Sequence, residues 1–88
     1  MSNEKSELSR VFDELQKERG KGRTIEIYRK KDNMHFVGKF EEPILEFNDV
    51  VAVLSNVKVR YGNEEKYRPR DHKNYIRLFG GNCEYHFA

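Results

Sequence analysis

Only one cysteine, two prolines and no tryptophan occur among the 88 residues of this chain. A lone thiol, Cys83, excludes an internal disulfide framework and fits a reducing compartment. Its sequence neighbours, Asn82 and Glu84, bring no positive charge to stabilise a thiolate, so Cys83 reads as a small core hydrophobe rather than a nucleophile. Long apolar runs are missing too. The longest, Val50-Val51-Ala52-Val53-Leu54, falls far short of the roughly 20 residues a membrane-spanning helix needs. The first residues are polar, without the apolar centre of a signal peptide, so the expected setting is the nucleus or the cytoplasm, with no membrane partner. Internal repeats and low-complexity tracts are absent. Charge of one sign is scarce as well: the net charge is +2 and the isoelectric point about 8.7, without the strongly basic balance of a dedicated nucleic-acid binder.

What is present is a chain with 36% hydrophobic and 36% charged residues, long enough for one domain spanning residues 1–88 and no second. Small domains bury proportionally less surface, which favours an oligomer or a complex subunit. The charge is patterned: residues 17–31 and 58–73 are basic and residues 41–49 acidic.

Leu8, Val11, Phe12 and Leu15 follow the spacing of one apolar helical stripe. Ser6 is the candidate N-cap, and Gly20 and Gly22 close the element, giving a helix over about 6–19. After Gly22 the period changes to two. Ile25 and Ile27 form one face of a half-buried strand, and Lys31-Asp32-Asn33 is turn chemistry. Met34, Phe36, Gly38 and Phe40 then share a face, where a mid-strand glycine implies a bend or a close backbone approach. Pro43 is expected to end that strand. Residues 50–54 are apolar on both faces and belong to a central strand covered on two sides. Alternation resumes to Tyr61, followed by a turn at Gly62-Asn63 and a polar loop containing Pro69. A strand over about 74–79, a tight turn at Gly80-Gly81-Asn82 and a last strand over 83–87 complete the chain. The expected fold is mainly β: one helix, then a strongly bent antiparallel sheet of five strands forming a small barrel over about 23–87.

The order and local residues of these elements resemble the Sm/LSm family. Gly22-Arg23-Thr24-Ile25-Glu26-Ile27, followed by Phe36-Val37-Gly38-Lys39-Phe40 and by Val53-Leu54-Ser55-Asn56-Val57, is similar to the Sm1 motif. Leu78-Phe79-Gly80-Gly81-Asn82-Cys83-Glu84-Tyr85 is similar to the Sm2 motif. The resemblance implies a subunit that pairs its fourth strand with the fifth strand of a neighbour. The implied edges are Tyr75, Arg77 and Phe79 on one side and Cys83, Tyr85 and Phe87 on the other. It also implies a base-reading loop between the second and third strands, completed by the Sm2 turn, that binds U-rich RNA. The implied RNA-contacting set is Asn48, Arg77, Phe79, Gly80 and Asn82. Counting from Gly38 puts the base-reading position at Asn48, whereas counting back from Leu54 puts it at Val51. Residues 41–49 thus read as a loop with a three-residue insertion, and Phe79 stands where the family has arginine. A degenerate member with pairing edges and an altered base pocket looks like the Gemin-type subunits of the SMN complex. Those act in small nuclear ribonucleoprotein assembly, by protein contact with other Sm-like proteins rather than by catalysis.

Other constellations carry other readings. His35, His72 and His86 show no ligand spacing, so neither a metal nor another cofactor is expected. His72, His86, Arg70 and Tyr67 would be the working residues of a small RNA-cleaving enzyme or toxin. Tyr28, Tyr61 and Tyr75 would line an SH3-like peptide groove if exposed on one side. The loop over 65–73 mixes cations with an aromatic as phosphate-contacting loops do, and as solvated surface loops also do. Glu41, Glu42 and Glu46 form an acidic cluster that solubilises the surface or receives a basic tail.

Overall fold

A computed structural model of the chain describes residues 4–70 and 72–88. One helix, α1 (Glu4–Gln16), precedes six strands: β1 (Thr24–Arg29), β2 (Met34–Leu45), β3 (Val50–Tyr61), β4 (Arg68–Pro69), β5 (Asn74–Arg77) and β6 (Cys83–Phe87). The strands form one antiparallel sheet in the order β4-β3-β2-β1-β6, with β5 pairing the first half of β3, and the sheet does not close on itself among the described residues. No described helix is long and apolar enough to cross a membrane.

The apolar stripe of α1 behaves as its spacing requires. Val11 and Leu15 are buried, Leu8 and Phe12 partly so, and all four pack on the inner face of the sheet. The backbone is already helical at Glu4, so Ser6 lies within the helix rather than capping it. At the other end the turn tightens, with Glu18 N–H bonding Leu15 O and Arg19 N–H bonding Gln16 O, and regular helix stops at Gln16, short of the expected end. The inner face of the sheet carries Ile25, Ile27, Met34, Phe36, Phe40, Val57, Val59 and Ile76, all buried. Residues 50–54 are buried on both faces, as a central strand requires.

Three expectations are corrected. The sheet has six strands rather than five, because Arg68 and Pro69 make a short ladder with Val59 and Lys58. Residues 41–49 are not an inserted loop: β2 runs to Leu45, and Phe47-Asn48 are the two tip residues of a hairpin closed by Glu46 and Asp49, which exchange both backbone hydrogen bonds (2.8 and 3.4 Å). Pro43 does not end β2. Antiparallel ladders alternate with a period of two, so the Glu46–Asp49 pair places Ile44 and Glu42 with their N–H groups toward β3, and the ring nitrogen of Pro43 on the other side. That side has no strand there, since β1 pairs β2 only as far as Lys39. Proline on an open flank removes no ladder bond.

The β2–β3 ladder carries two irregularities that cancel. The β2–β3 register slips between Val37 and Lys39, where Asn56 (φ 53°) is the extra residue in β3. It slips back between Phe40 and Glu42, where Glu41 is the extra residue in β2. Gly38 sits at the first bulge. A Cβ there would lie 2.8 Å from Val57 Cγ2 and 3.0 Å from Ser55 O. Gly38→Ala is therefore expected to lower stability by about 1–3 kcal/mol, the scale of overpacking a closed core. A urea-unfolding midpoint equal to wild type would show that the two strands can separate at the bulge without loss.

Candidate functional site

Asp49 is the one residue with a charged side chain buried among the described residues, at 4% exposure. Its Oδ1 accepts hydrogen bonds from Val50 N–H (2.8 Å) and Phe79 N–H (2.7 Å), and its Oδ2 accepts one from Gly80 N–H (2.8 Å). A carboxylate taken out of water needs such compensation, and backbone donors of a turn provide it at fixed geometry. Beside it, Arg77 Nη1 donates to Glu46 Oε1 at 2.6 Å. The β2–β3 hairpin is thus clasped to the β5–β6 turn by one buried carboxylate and one exposed ion pair. Two glycines permit the clasp. A Cβ on Gly80 would sit 2.9 Å from Asp49 Oδ2, and one on Gly81 would meet Arg29 Cδ at 2.8 Å.

The clasp decides where the expected RNA-contacting residues stand. Phe79 and Gly80 spend their N–H groups on Asp49, and Arg77 is paired with Glu46. Asn48 is exposed at the hairpin tip, and Asn82 (φ 52°) is exposed in the turn with its N–H on Phe79 O (3.2 Å). The fold gathers all five at one end of the sheet, with donors of Arg77, Phe79, Gly80 and Asn82 already engaged. A groove beside the turn is lined by Arg29, Lys31, Tyr75, Arg77, Gly80 and Gly81. In the sequence Asp49 stands out only as an acid immediately before the most apolar run of the chain, with the Gly80-Gly81 pair far downstream.

The expected pairing residues fall on two open edges. Leu78 N–H donates to Val50 O (2.9 Å), so the N–H groups of Ile76 and Asn74 face β3, and those of Tyr75 and Arg77 point away from the sheet. Phe79 lies beyond the end of β5, in the turn, and is not part of this edge. On β6, Ala88 N–H donates to Thr24 O (3.0 Å), which turns the N–H groups of His86 and Glu84 toward β1 and those of Tyr85 and Phe87 outward. Cys83 N–H is held by Leu78 O (2.8 Å). Neither β5 nor β6 has a second neighbouring strand among the described residues. Tyr75 is 62% exposed, whereas Tyr85 and Phe87 are partly buried against the core.

Remaining candidates separate cleanly. Tyr28 pairs with His35, and Tyr61 with the adjacent Met34, so Tyr28 and Tyr61 face opposite sides of the sheet and do not line one groove. His86 and Tyr67 share a groove on the outer face of the sheet; His72 and Arg70 are not among its lining residues, and Asp71 between them lies outside the described residues. The acidic cluster is internally committed: Glu41 accepts from Ser55 Oγ, Glu42 pairs with Arg19 (2.8 Å) and Glu46 with Arg77. Burial, the dominant cause, pushes the Cys83 thiol up to about 11.

Two outcomes follow from this geometry. Asp49→Ala is expected to cost about 3 kcal/mol, because it strands donors in a closed site. Asp49→Asn is expected to cost nearly as much, since an amide nitrogen must then face either Phe79 or Gly80 N–H, donor against donor. Chemical denaturation of both variants and of Gly80→Ala, with the double variant Asp49→Ala/Gly80→Ala, checks the coupling; strict additivity would show that the carboxylate and the turn are independent. For Cys83, the rate of alkylation by iodoacetamide is expected to keep rising above pH 10, far beyond an ordinary thiol near 8.5; a plateau below pH 9 would show an exposed thiolate.

No family model, no curated protein and no solved structure matches this chain, and its function is therefore approached through the clasp and the two open edges alone.

Proposed function

We propose that the chain is a divergent Sm-like subunit that acts in small nuclear ribonucleoprotein assembly and RNA processing, in the nucleus or the cytoplasm, by lending its sheet edges to other Sm-like proteins. One observation carries the reading: β5 and β6 present outward N–H groups at Tyr75 and Arg77 and at Tyr85 and Phe87, on two different edges of one sheet. Edges of different sequence pair head to tail, which builds rings or heteromers rather than closed two-fold dimers. The strand succession β6-β1-β2-β3-β5 and the helix on the inner face agree with the motif resemblance. The clasp favours protein contact over base reading, because Asp49 and Glu46 hold the donors that a base or phosphate would need.

A second reading is a ring subunit that binds U-rich RNA directly. It is favoured by the groove of Arg29, Lys31 and Tyr75 beside the Gly80-Gly81 turn, where a base can stack and a cation meets phosphate.

Native mass spectrometry of the chain, alone and with candidate Sm-like partners, tests both. Hetero-oligomers are expected. Tyr75→Pro removes an outward N–H without touching the β3 ladder, and is expected to weaken association about tenfold, the value of one hydrogen bond of roughly 1.5 kcal/mol. A monomer under every condition overturns both readings. A stable ring of six or seven copies that binds oligo-uridine replaces the assembly reading with the second.

A further inference from the structure

The loop between β3 and β5, basic and containing Tyr67, has no part in the edges or the clasp. Its surroundings point elsewhere. Register places Glu84, Tyr28, His35 and Arg60 in one row across β6, β1, β2 and β3, and His86, Glu26, Val37 and Lys58 in the next row on the same outer face. The Tyr28 and His35 rings stack at 4.7 Å between centroids with 24° between planes. The Arg60 guanidinium lies 5.2 Å from the Tyr67 ring centroid and donates from Nη1 to Glu64 O (2.8 Å), while its buried Nε has no partner. Tyr67 reaches back over the sheet from its loop, so that it and His86 of β6 line one cavity of about 340 Å³.

We infer that this outer-face cavity beneath Tyr67 is a binding site for single-stranded nucleic acid, separate from the sheet edges. Planar groups in series (Tyr28, His35, Arg60, Tyr67) offer stacking surface to bases of any sequence. The acids on this face have side-chain partners: Glu26 Oε1 lies 3.2 Å from His86 Nε2, and Glu84 pairs with Lys30 Nζ (2.8 Å). Lys58 and Lys66, by contrast, have no ion-pair partner among the described residues and are both exposed. Lys58, paired in register with Val37 of the cavity wall, and Lys66, next to Tyr67 in the chain, suit a phosphate backbone, and the carboxylates within the cavity suit the amino edges of unpaired bases. An uncharged peptide would use neither. Burial, then repulsion by Arg60, lowers the pKa of His35, which keeps its ring neutral for stacking at neutral pH.

The test is fluorescence anisotropy of the full chain with fluorescein-labelled hexa-uridine, hexa-adenosine and their deoxy counterparts, at low and at physiological salt. Saturable binding that weakens with salt is expected. Tyr67→Ala is expected to reduce affinity about tenfold, the scale of one lost base stack, with Tyr67→Phe restoring it and Lys58→Glu flattening the salt dependence. Arg10→Ala, on the exposed face of α1, is expected to bind as wild type. Failure of all four probes to bind, or wild-type binding by Tyr67→Ala, overturns the inference. So does an equal loss in Tyr75→Pro, which would route the nucleic acid through edge assembly instead.

Discussion

The geometry of this molecule hangs on a carboxylate that has left water. At 4% exposure, Asp49 is tolerable only because three backbone N–H groups converge on it at 2.7–2.8 Å, two of them from a turn thirty residues further along. β5 is four residues long, and a strand that short has few ladder bonds with which to fix its own position. The clasp fixes it from its C-terminal end. Once Phe79 and Gly80 are held, Leu78 N–H meets Val50 O, the alternation of the ladder follows, and Tyr75 and Arg77 are obliged to face outward. The open edge is thus a consequence of the buried acid. The same acid forbids a side chain at position 80, so Gly80 and Asp49 form one device.

A second constraint is the pair of bulges in the β2–β3 ladder. Each strand is 12 residues long, and a ladder of that length must bend if its inner face is to wrap one helix. Asn56 inserts a residue in β3, and Glu41 inserts one in β2 three steps later, so the second undoes the slip of the first. The register at the hairpin is therefore the register at the far end, where Met34 faces Tyr61. A single uncompensated bulge would turn Val50, Ala52 and Leu54 to the outer face and Val51 and Val53 to the helix side. Because all five are apolar, the chain could not detect the error by burial there; it is Glu46, Asp49 and their partners that make the correct register distinct.

Much of this was legible in the sequence where one residue's pattern decides the outcome. The helical stripe at Leu8, Val11, Phe12 and Leu15, the alternation at Ile25 and Ile27, and the close approach at Gly38 depend on local periodicity and size, and the structure has them. What escaped depends on which way a backbone group points. Pro43 reads as a strand end because proline lacks a donor, but register turns its ring nitrogen to a flank with no strand, where no ladder bond is lost. β4 exists only because β3 is long enough to outrun β5. Glu41, Glu42 and Glu46 read as a free acidic cluster because their partners Ser55, Arg19 and Arg77 are distant in the chain. Alternating aromatics mark the two open edges, but Phe79 lies in the turn beyond the end of β5.

The shortness of the β5 edge bears on what could hold a partner there. Tyr75 and Arg77 offer outward N–H groups, and the carbonyl of Arg77 is already shared by Gly81 N–H (3.3 Å) and Cys83 Sγ (3.5 Å). Two or three hydrogen bonds at about 1 kcal/mol each fall well short of the roughly 8 kcal/mol of a micromolar complex. Backbone pairing at this edge would therefore set orientation rather than affinity. The balance has to come from apolar side chains that the clasp brings to the same end of the sheet: Tyr75 at 62% exposure, Leu45 at 50% and Phe47 at 93%. Burying a large side chain contributes about 1.5–3 kcal/mol, so three such groups close the gap. A partner that matched the edge but not these three would bind weakly, and selectivity among partners with similar strands would rest on what they placed against the hairpin tip.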